Sequence, residues 1–371
     1  MKPLRFLMLN WRDTENPLAG GAERVTLRHM AELVRRGHEI VWFANHFDGA
    51  ERETAIDGIR IIRGGGRGTS ILHARRCCRE HGPFDLVIDQ HHGLPWFAHW
   101  WSGTNCVAYI HEVLGPIWRA FYRWPTSAIG QAQERFFQRL YAGVPFWTVS
   151  ESTRQQLLSH GVRDVRVWPN GTDTEPLPTL PAKPLGTPLR LIALARLAPN
   201  KRVDHVVGAL ALLREQGCDA ELTIIGWGQD QWRLEAQVNE LGLSDAVRFA
   251  GRLDDAEKNI ELQKAHLLLH TSMREGWGLN VIEANAMGTP AVVYPVGGLV
   301  DSTVHGQTGL VSEAETPESL AKTITGLAND PKKYDMMRTE AWQRSFDFRW
   351  GQVLRPTCDW LENMARGETA T

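Results

Sequence analysis

The chain alternates short apolar runs with longer amphipathic segments, and this pattern constrains its fold more than any other feature. The run LRFLMLN at residues 4–10 predicts a buried strand, and the segment at 20–37 repeats apolar residues at helical spacing. The alternation continues over residues 39–150, where several strands are apolar almost throughout. Strands of this kind are typical of a parallel sheet that helices cover on both faces.

A proline-rich stretch at residues 169–188 interrupts the pattern. It contains six prolines and no periodicity, which predicts a connection between domains. The alternation restarts at 189–197, so we predict an α/β protein with two doubly wound, Rossmann-like domains facing a central cleft. The predicted parts are an N-terminal domain over residues 1–175, a linker over 176–188 and a C-terminal domain over 189–347.

The composition is that of an ordinary globular protein, with 43% hydrophobic and 23% charged residues. A net charge of -2 argues against nucleic acid as the main partner. The five cysteines contain no CxxC pair, so they indicate neither a disulfide framework nor a zinc site. Since no apolar run is long enough for a signal peptide or a membrane span, we expect a cytoplasmic protein.

The charge is distributed unevenly along the chain. Residues 1–175 carry three more basic than acidic side chains, whereas residues 176–371 carry five more acidic than basic ones. The basic half favours an anionic partner, such as a phosphorylated acceptor or the inner face of a membrane that the N-terminal domain contacts peripherally. An ordinary solvated surface in an Arg-rich sequence is the competing interpretation.

Two glycine-rich turns stand where strands give way to helices. NPLAGGAER at 16–24 places Gly20 and Gly21 at the start of the first predicted helix, where backbone amides can approach an anion. GWGQDQ at 226–231 stands at a second such place. Neither has the GxGxxG spacing of a dinucleotide site, and the chain lacks a GxxxxGK[ST] phosphate loop. Each is as compatible with a tight turn as with a ligand loop.

A third turn, REGWGLNVIEANAMGTP, covers residues 274–290. A helix that starts near Gly278 would direct the amides of 276–280 and the positive end of its dipole towards a diphosphate. Glu275 would stand before this helix and Glu283 on its second turn, where both could accept hydrogen bonds from sugar hydroxyls. The alternative is that both are surface acids, because an acid near a helix N-terminus is a common stabiliser. Spacing alone leaves both interpretations open.

The segment EGWGLNVIEANAMGTPAVVYPVGG resembles the Glu-x7-Glu signature of the family 4 retaining glycosyltransferases, which have the GT-B fold. The similarity extends over most of the chain, in the family's order. The other similar segments are GGAERVTLRHMAELVRRGHEI (its first loop and helix), YIHEV (a histidine-bearing strand end), VSESTRQQLL and VWPNGTDTE (its approach to the linker), ALARLAPNKRVD (its Gly-Arg-Leu-x-x-x-Lys-Gly region) and HGQTGLV (a late donor-site turn).

The resemblance implies a donor site and four catalytic residues. Arg196 and Lys201 would neutralise the donor diphosphate. Glu275 would accept hydrogen bonds from the transferred sugar, Glu283 would hold the ribose, and His111 would face the sugar from the N-terminal domain. Without the family, a surface Arg and Lys and a packed His are the ordinary interpretations. The catalytic residues would be His111, Glu275, Arg196 and Lys201, and the further donor-binding residues would be Gly20, Gly21, Arg252 and Leu253 near the base, Gly276, Trp277, Gly278, Leu279 and Asn280.

Three positions depart from the family's pattern. Trp277 replaces the usual Phe or Tyr, which conserves an aromatic ring. Ala195 stands where a Gly commonly precedes Arg196, and Arg202 replaces the usual Gly after Lys201. We expect the last two changes to tighten this turn and to alter the diphosphate geometry slightly.

The family's chemistry is the transfer of a hexose-type sugar from a nucleotide-diphosphate sugar, of the UDP or GDP type, to a hydroxyl acceptor. The acceptor would be a glycan, a lipid-linked or a small-molecule intermediate of bacterial glycoconjugate or polysaccharide biosynthesis. The chain has no DxD motif, so cations and helix dipoles are expected to replace a metal, and no cofactor is predicted. Retention implies attack from the leaving-group face, with the phosphate accepting the acceptor's proton; Glu112 as a covalent nucleophile is the alternative.

Tryptophan is abundant in two segments of the N-terminal half, at residues 90–101 and 117–125. Aromatic faces stack on sugar rings, so Trp96 and Trp118 are candidate acceptor residues. Packing inside the protein and contact with a membrane interface are alternative roles for these rings.

Two other functions suit the same architecture. A non-hydrolysing sugar-nucleotide epimerase would convert the donor without an acceptor, and a non-catalytic nucleotide-sugar or glycan-binding protein would neither hydrolyse nor transfer. The resemblance also implies that the final helix, predicted over 348–366, packs back on the N-terminal domain.

Overall fold

A computed structural model describes residues 2–66 and 68–368, which form two compact units. The first unit comprises the chain through Gly115, Ile129–Gly171 and the residues from Trp350 onward. The second comprises Pro116–Ala128 and Thr172–Arg349. Residues 116–128, which the sequence pattern assigns to the N-terminal domain, therefore group with the second unit instead.

The first unit is built on an eight-stranded sheet with the order β3-β4-β2-β1-β5-β6-β7-β8. Every pair is parallel except β3 with β4. The central strand is buried on both faces, as its apolar sequence predicts. The strands are β1 (Arg5–Leu9), β2 (Glu39–Ala44), β3 (Glu53–Ile56), β4 (Ile59–Arg63), β5 (Leu86–Gln90), β6 (Asn105–Tyr109), β7 (Phe146–Thr148) and β8 (Val165–Val167). The helices of residues 1–160 are α1 (Gly21–Arg35), α2 (Ser70–His81), α3 (Ile117–Phe121), α4 (Thr126–Leu140) and α5 (Glu151–Ser159).

The second unit has a six-stranded parallel sheet with the order β11-β10-β9-β12-β13-β14. Its strands are β9 (Leu189–Leu194), β10 (Ala220–Ile225), β11 (Val247–Gly251), β12 (Leu267–His270), β13 (Ala291–Val293) and β14 (Gly309–Val311). Its helices are α6 (Val203–Glu215), α7 (Gln231–Glu240), α8 (Asp255–Lys264), α9 (Leu279–Ala286), α10 (Leu299–Ser302), α11 (Pro317–Ala328) and α12 (Pro331–Ser345), and a last helix, α13 (Trp350–Arg366), belongs to the first unit. The prediction of two Rossmann-like α/β sheets is confirmed.

The strand order of the second sheet determines where a ligand can bind. The chain leaves β9 towards β10 on one side, while β12 pairs with β9 on the other. The loops that follow β9 and β12 therefore diverge at a topological switch point, where open α/β sheets bind ligands. The turns at 195–202 and 271–278 are these two loops.

Sequence patterning misses helix α12. The stripe that α12 buries includes Arg338 and Ser345 beside Tyr334, Met337 and Ala341. Because two of these five positions are polar, the apolar repeat at helical spacing is too weak to identify the helix.

Helix α13 is tied to the rest of the first unit by aromatic packing and by ion pairs. The Trp350 ring covers Gly171 so closely that a Cβ at that glycine would lie 2.5 Å from Cε3 of the indole. Arg36, at the end of α1, donates to Asp359 at 2.6 Å and to Glu362 at 2.9 Å. The contact between α1 and α13 is therefore part of this unit's core.

We predict that truncation after Phe346 destabilises the protein strongly. The deletion removes α13, whose buried side chains contribute on the order of 1.5–3 kcal/mol each. Thermal unfolding of the truncated chain should show a large loss of Tm or no cooperative transition. Truncation after Arg366, which keeps α13, is the control and should leave Tm unchanged; an unchanged Tm for the longer truncation would contradict the prediction.

Candidate active site

The loops after β9 and β12 are joined by backbone and side-chain hydrogen bonds. A single 3-10 turn at Pro199–Lys201 follows β9. The Met273 amide donates to the Asn200 carbonyl at 2.8 Å, and the Thr271 hydroxyl lies 3.1 Å from the Lys201 carbonyl. The two loops thus form one surface at the carboxyl end of the sheet, although the residues that this hydroxyl contact joins are 70 positions apart in sequence.

Glu275 is the centre of this surface. Its Oε1 accepts hydrogen bonds from Lys201 Nζ, from His270 Nε2 at 3.0 Å and from Ser272 Oγ at 2.6 Å. Within residues 2–66 and 68–368, the other oxygen, Oε2, accepts no hydrogen bond. The carboxylate is therefore anchored through one oxygen and has the other one available for a ligand.

The carboxylate of Glu275 is charged despite its burial. Burial alone would raise its pKa, but the Lys201 ammonium and the His270 hydrogen bond hold the pKa well below its usual range. Its side chain is only 15% exposed. A desolvated carboxylate with one free oxygen is a strong acceptor for hydroxyl groups.

The glycine-rich turn brings the N-terminus of α9 beside Glu275. The helix begins at Leu279, and Gly278 before it has φ +97°, a conformation that favours glycine. In the described part of the chain, the amides of residues 276–280 donate no hydrogen bond. Asn280 anchors the turn because its Nδ2 donates to the Leu194 carbonyl, at the end of β9, at 2.7 Å. These amides are available to an anion.

Gly298 allows another segment to pack against this turn. A Cβ at Gly298, whose φ is +83°, would overlap with the Glu275 carbonyl. The Glu275 amide in turn donates to the Gly297 carbonyl at 3.1 Å. The backbone of Glu275 is thus held in place independently of its side chain.

Glu283, on the second turn of α9, is a second carboxylate that a lysine holds through one oxygen. Its Oε1 accepts from Lys258 Nζ at 2.9 Å, and Lys258 also pairs with Asp255 at 2.8 Å. Burial alone would lower the pKa of Lys258, but Glu283 and Asp255 hold that pKa above its ordinary value. Sequence analysis missed Lys258, since nothing in its spacing marks a lysine on α8 as a neighbour of α9.

Arg202 occupies a left-handed position where the similar family usually has glycine, and its side chain makes contacts that offset the strain. Its φ of +48° is left-handed, which costs about 1–2 kcal/mol for a residue with a Cβ. Its guanidinium donates to the carbonyls of Thr271 at 2.8 Å and Ser272 at 2.7 Å, and also to Glu315 at 2.7 Å. These contacts fix the loop that carries Ser272 and Glu275.

We predict that Arg202→Ala destabilises the protein more than Arg202→Gly does. Both lose the charged donor to two carbonyls, but only alanine keeps the left-handed strain, so the two free energies of unfolding should differ by about 1 kcal/mol. Denaturant unfolding measures both values. Equal stabilities of the two variants would show that the backbone at 202 relaxes and is not strained.

The other predicted donor residues have unequal surroundings. Arg196 is exposed on the loop after β9, while Arg252 is exposed and Leu253 half-buried after β11. Trp277 is buried at 7% exposure, and its ring packs on Phe348 at 5.4 Å. The structure thus brings Lys201 and Glu275 into direct contact, and the ring at 277 supports the turn from inside.

The two glycines of the first predicted ligand loop lie in the first unit. Gly20 precedes α1, which begins at Gly21, and the Gly20 amide donates to Glu23 Oε2 at 2.7 Å. Glu23 is itself paired with Arg12 at 2.9 Å. One N-terminal amide of this helix is therefore already satisfied within the chain, which reduces the capacity of the turn for an external anion.

The second glycine-rich turn, at 226–231, needs its glycines for close backbone packing. A Cβ at Gly226 would overlap with the Ala195 carbonyl, and a Cβ at Gly228 would overlap with the Leu197 carbonyl. The Leu197 amide also donates a hydrogen bond on this side, to the Trp227 carbonyl at 3.0 Å. These glycines let β10 and its turn lie directly against the loop that leads to Lys201.

His111 is a neutral hydrogen-bond donor. Burial, with His92 and His29 nearby, lowers its pKa to about 3. Gln90 Oε1 accepts from Asn10 Nδ2 at 3.0 Å, so the Gln90 amide nitrogen faces His111 Nε2, at 3.1 Å. Nε2 therefore accepts, and the ring proton is assigned to Nδ1. Sequence analysis missed Gln90 and Asn10, although both end or follow strands, where ligand residues cluster.

The prediction that Trp96 binds the acceptor is wrong, because its ring is buried. Its ring is 0% exposed, stacks on Trp11 at 4.3 Å and donates to the Gln90 carbonyl at 3.0 Å. The loop that carries it is held by the buried carboxylate of Asp89, which accepts from the amides of Trp96 at 3.2 Å and Ala98 at 3.1 Å. Trp96 is a core residue and has no face for an acceptor sugar. Trp118, in contrast, is half-buried on α3.

The family model "Glycosyltransferase Family 4" matches residues 19–176, and the model "Glycosyl transferases group 1" matches residues 182–344, so the two together cover most of the chain. Glycogen synthase from Mycobacterium tuberculosis is 32% identical over 214 residues, which are 57% of this chain and 52% of that protein. The chain thus spans about half the length of this curated relative.

Solved structures show the same fold. Sucrose-phosphate synthase from Thermosynechococcus elongatus superposes with a TM-score of 0.80 and 18% identity, over 98% of this chain and 100% of that one. Anabaena HepE, solved in complex with UDP-glucose, gives a TM-score of 0.74 and 19% identity over 97% and 100% of the two chains. Given both family matches and these folds, the chain belongs to the group 1 glycosyltransferases of the GT-B fold.

Proposed function

We propose that the protein is a retaining glycosyltransferase that moves a hexose-type sugar from a nucleotide-diphosphate sugar to a hydroxyl acceptor. One observation carries the proposal: Glu275 is anchored through Oε1 by three donors, while Oε2 is available. A fixed, charged acceptor of this kind suits the hydroxyls of a bound sugar. Its position at the carboxyl end of the second sheet supports a donor site there.

The donor diphosphate would bind between the Lys201 ammonium and the free amides of residues 276–280. Arg196, exposed on the same loop as Lys201, supplies a second cation. Because Lys201 already contacts Glu275, one ammonium would link the carboxylate that binds the sugar to the phosphate that leaves. The available oxygen of Glu283, which Lys258 orients, would accept from the ribose.

Departure of the nucleoside diphosphate builds negative charge on the leaving oxygen. Lys201, Arg196 and the α9 N-terminus would stabilise this charge, and we propose that they do so without a metal ion. On the retaining path, the acceptor hydroxyl attacks from the leaving-group face and gives its proton to the departing phosphate. His111, neutral and protonated on Nδ1, would contribute a hydrogen bond rather than a positive charge.

The donor is proposed to be of the UDP or GDP type. The structure of HepE in complex with UDP-glucose supports a nucleotide-sugar donor of this kind. The acceptor is proposed to be a glycan, a lipid-linked or a small-molecule intermediate of bacterial glycoconjugate or polysaccharide synthesis. Trp118 stays a candidate for binding it.

A cytoplasmic location with peripheral membrane contact is also proposed. The segment Pro116–Ala128 exposes Phe121, Tyr122 and Trp124, the last at 82%. Arg119 and Arg123 lie among these rings in the sequence. Aromatic and basic side chains together suit a membrane interface. No helix in residues 2–66 and 68–368 combines the length and hydrophobicity needed to span a bilayer.

A panel of UDP-, GDP- and dTDP-sugars tests the function. The true donor should raise Tm by mass action and be hydrolysed slowly, and a hydroxyl acceptor should accelerate its consumption, all in the presence of EDTA. The anomeric configuration of the product, read by NMR, should be that of the donor. Inversion, or activity that EDTA abolishes and Mg²⁺ restores, would contradict the retaining or the metal-independent part of the proposal.

Two outcomes of the same panel favour other functions. Conversion of the donor sugar into its epimer without any acceptor would identify an epimerase. Binding of a donor with neither hydrolysis nor transfer, for every acceptor tried, would favour a non-catalytic binding protein.

We predict that Glu275→Gln lowers kcat by on the order of 100-fold, a loss comparable to that of a preorganised polar group in other active sites. The substitution keeps the shape of the side chain but removes the charge that Lys201 neutralises. The matched control is Glu313→Gln, because Glu313 lies in the same unit, is 78% exposed and, within residues 2–66 and 68–368, pairs only with Lys322 at the surface. Turnover of Glu275→Gln equal to that of Glu313→Gln would show that Glu275 does not read the sugar.

A further inference from the structure

A cavity of about 220 Å³ lies at the amino end of the second sheet, below the strands whose other ends carry the candidate donor site. Of the residues that the structure describes, four basic side chains line it, and no Asp or Glu does. They come from the segment before β9, from β9 itself, from the end of α8 and from α12. The four are Lys183, Arg190, Lys264 and Arg338.

The described groups that hold Lys183 in this cavity are all neutral. Its ammonium donates to the carbonyls of Gln263 at 2.9 Å and Ala265 at 2.7 Å, and to the Thr289 hydroxyl at 2.6 Å. These acceptors satisfy its hydrogen bonds but carry no charge. Among the described residues, no carboxylate pairs with Lys183.

The Arg190 guanidinium also contacts only neutral groups among the described residues. Its guanidinium donates to the Lys264 carbonyl at 2.8 Å and lies 2.9 Å from Nε2 of His266. Burial and the Arg190 charge lower the pKa of His266 to about 4, so the imidazole is neutral at physiological pH. Arg190 likewise has no carboxylate partner in the part of the chain that the structure covers.

The other two basic side chains, Lys264 and Arg338, each have an acidic partner. Lys264 pairs with Glu261 at 2.9 Å, and Arg338 pairs with Asp335 at 3.3 Å. Lys264 and Arg338 are thus neutralised by acids outside the cavity, whereas the described residues place no acid beside Lys183 or Arg190. Lys183 and Arg190 are both partly buried, and an anion between them would supply the counter-charge that the neighbouring carbonyls and imidazole do not.

We propose that this cavity is a second anion site, which binds a small tetrahedral oxyanion of the phosphate class. The occupant would be inorganic phosphate or the phosphate group of a small phosphomonoester. Lys183 and Arg190 would contact it directly, and Arg338 would add charge from the side of α12.

This site is separate from the donor site. Arg190 lies near the start of β9 and Lys201 follows its end. A six-residue strand spans roughly 20 Å, which is too far for one phosphate group to reach both ends. The proposal therefore stands whether or not the proposed transferase activity is correct.

The protonation of Lys183 is consistent with an absent counter-ion. Burial and the charges of Arg338 and Arg190 lower its pKa to about 6, so without an anion the amine is largely neutral at physiological pH. An anion in contact with the ammonium would raise this pKa again, because an opposite charge favours the charged form.

Thermal shift with millimolar sulfate, phosphate or glycerol phosphate, at constant ionic strength set with NaCl, tests the site. Each anion should raise the Tm of the wild type. Arg190→Gln and Lys183→Met should each lose most of the shift, measured against the variant's own ligand-free Tm. Arg190→Gln retains a polar side chain and serves if Lys183→Met does not fold. A larger shift with glycerol phosphate assigns the cavity to a phosphomonoester, and a larger shift with phosphate assigns it to the free ion.

Two controls distinguish this site from other effects. Lys322→Met removes an exposed lysine of the same unit and should keep the full shift. Lys201→Met alters the candidate donor site and should also keep it. A shift that Lys201→Met abolishes and Arg190→Gln retains would place the anion at the donor site and overturn the proposal. An equal shift in all four variants would reveal a general salt effect and overturn it too.

Discussion

The charge on Glu275 is the constraint on which the carboxyl end of the second sheet depends. A carboxylate that is 15% exposed must have its charge compensated, and the chain does this at a single oxygen with Lys201, His270 and Ser272. These donors come from both loops at the switch point, so the register of β9 beside β12 determines whether they converge. Arg202 then fixes the carbonyls of the second loop. The charge of Glu275 is therefore compensated only when the sheet holds β9 and β12 in this register.

Much of this architecture follows from sequence patterning, because apolar strands and amphipathic helices report directly on burial. The α9 N-terminus follows from the same patterning, since a glycine-rich turn between a strand and a helix has few alternative geometries. Spacing alone leaves the role of Glu275 open, and only the resemblance to the family implies that it binds the sugar. The contact between Lys201 and Glu275 is not predictable in this way. Each residue taken alone suggests an external partner, and only the pairing of β9 with β12 brings together two residues that lie 74 positions apart. Helix α12 is missed because polar residues occupy part of its buried face.

The first unit shows where residue type misleads. Tryptophan is a large apolar ring as well as a sugar-stacking surface, and composition cannot separate these uses. What fixes Trp96 in the core is Asp89, a charged residue buried at the end of β5 that accepts two amides of the tryptophan loop. Here a carboxylate at the end of an apolar strand binds backbone amides of the loop that follows and so holds that loop against the core. Gln90, the neighbour of Asp89, in turn orients His111, and its role appears only when the amide network is traced from Asn10.

The two ends of the second sheet treat charge in opposite ways, and helix direction explains why. In a βαβ arrangement the helices run antiparallel to the strands, so helix N-termini gather at the carboxyl ends of the strands and helix C-termini at the amino ends. At the carboxyl end, the α9 amides favour an anion, and Glu275 can remain there only because Lys201 neutralises it. At the amino end, the last carbonyls of α8 favour a cation, and Lys183 donates to two carbonyls at that terminus. Carbonyl dipoles can hold an ammonium, but they cannot cancel its charge as a carboxylate would. A cluster of cations assembled on helix C-termini is therefore stable enough to fold and still electrostatically incomplete, which is the condition that a bound oxyanion would satisfy.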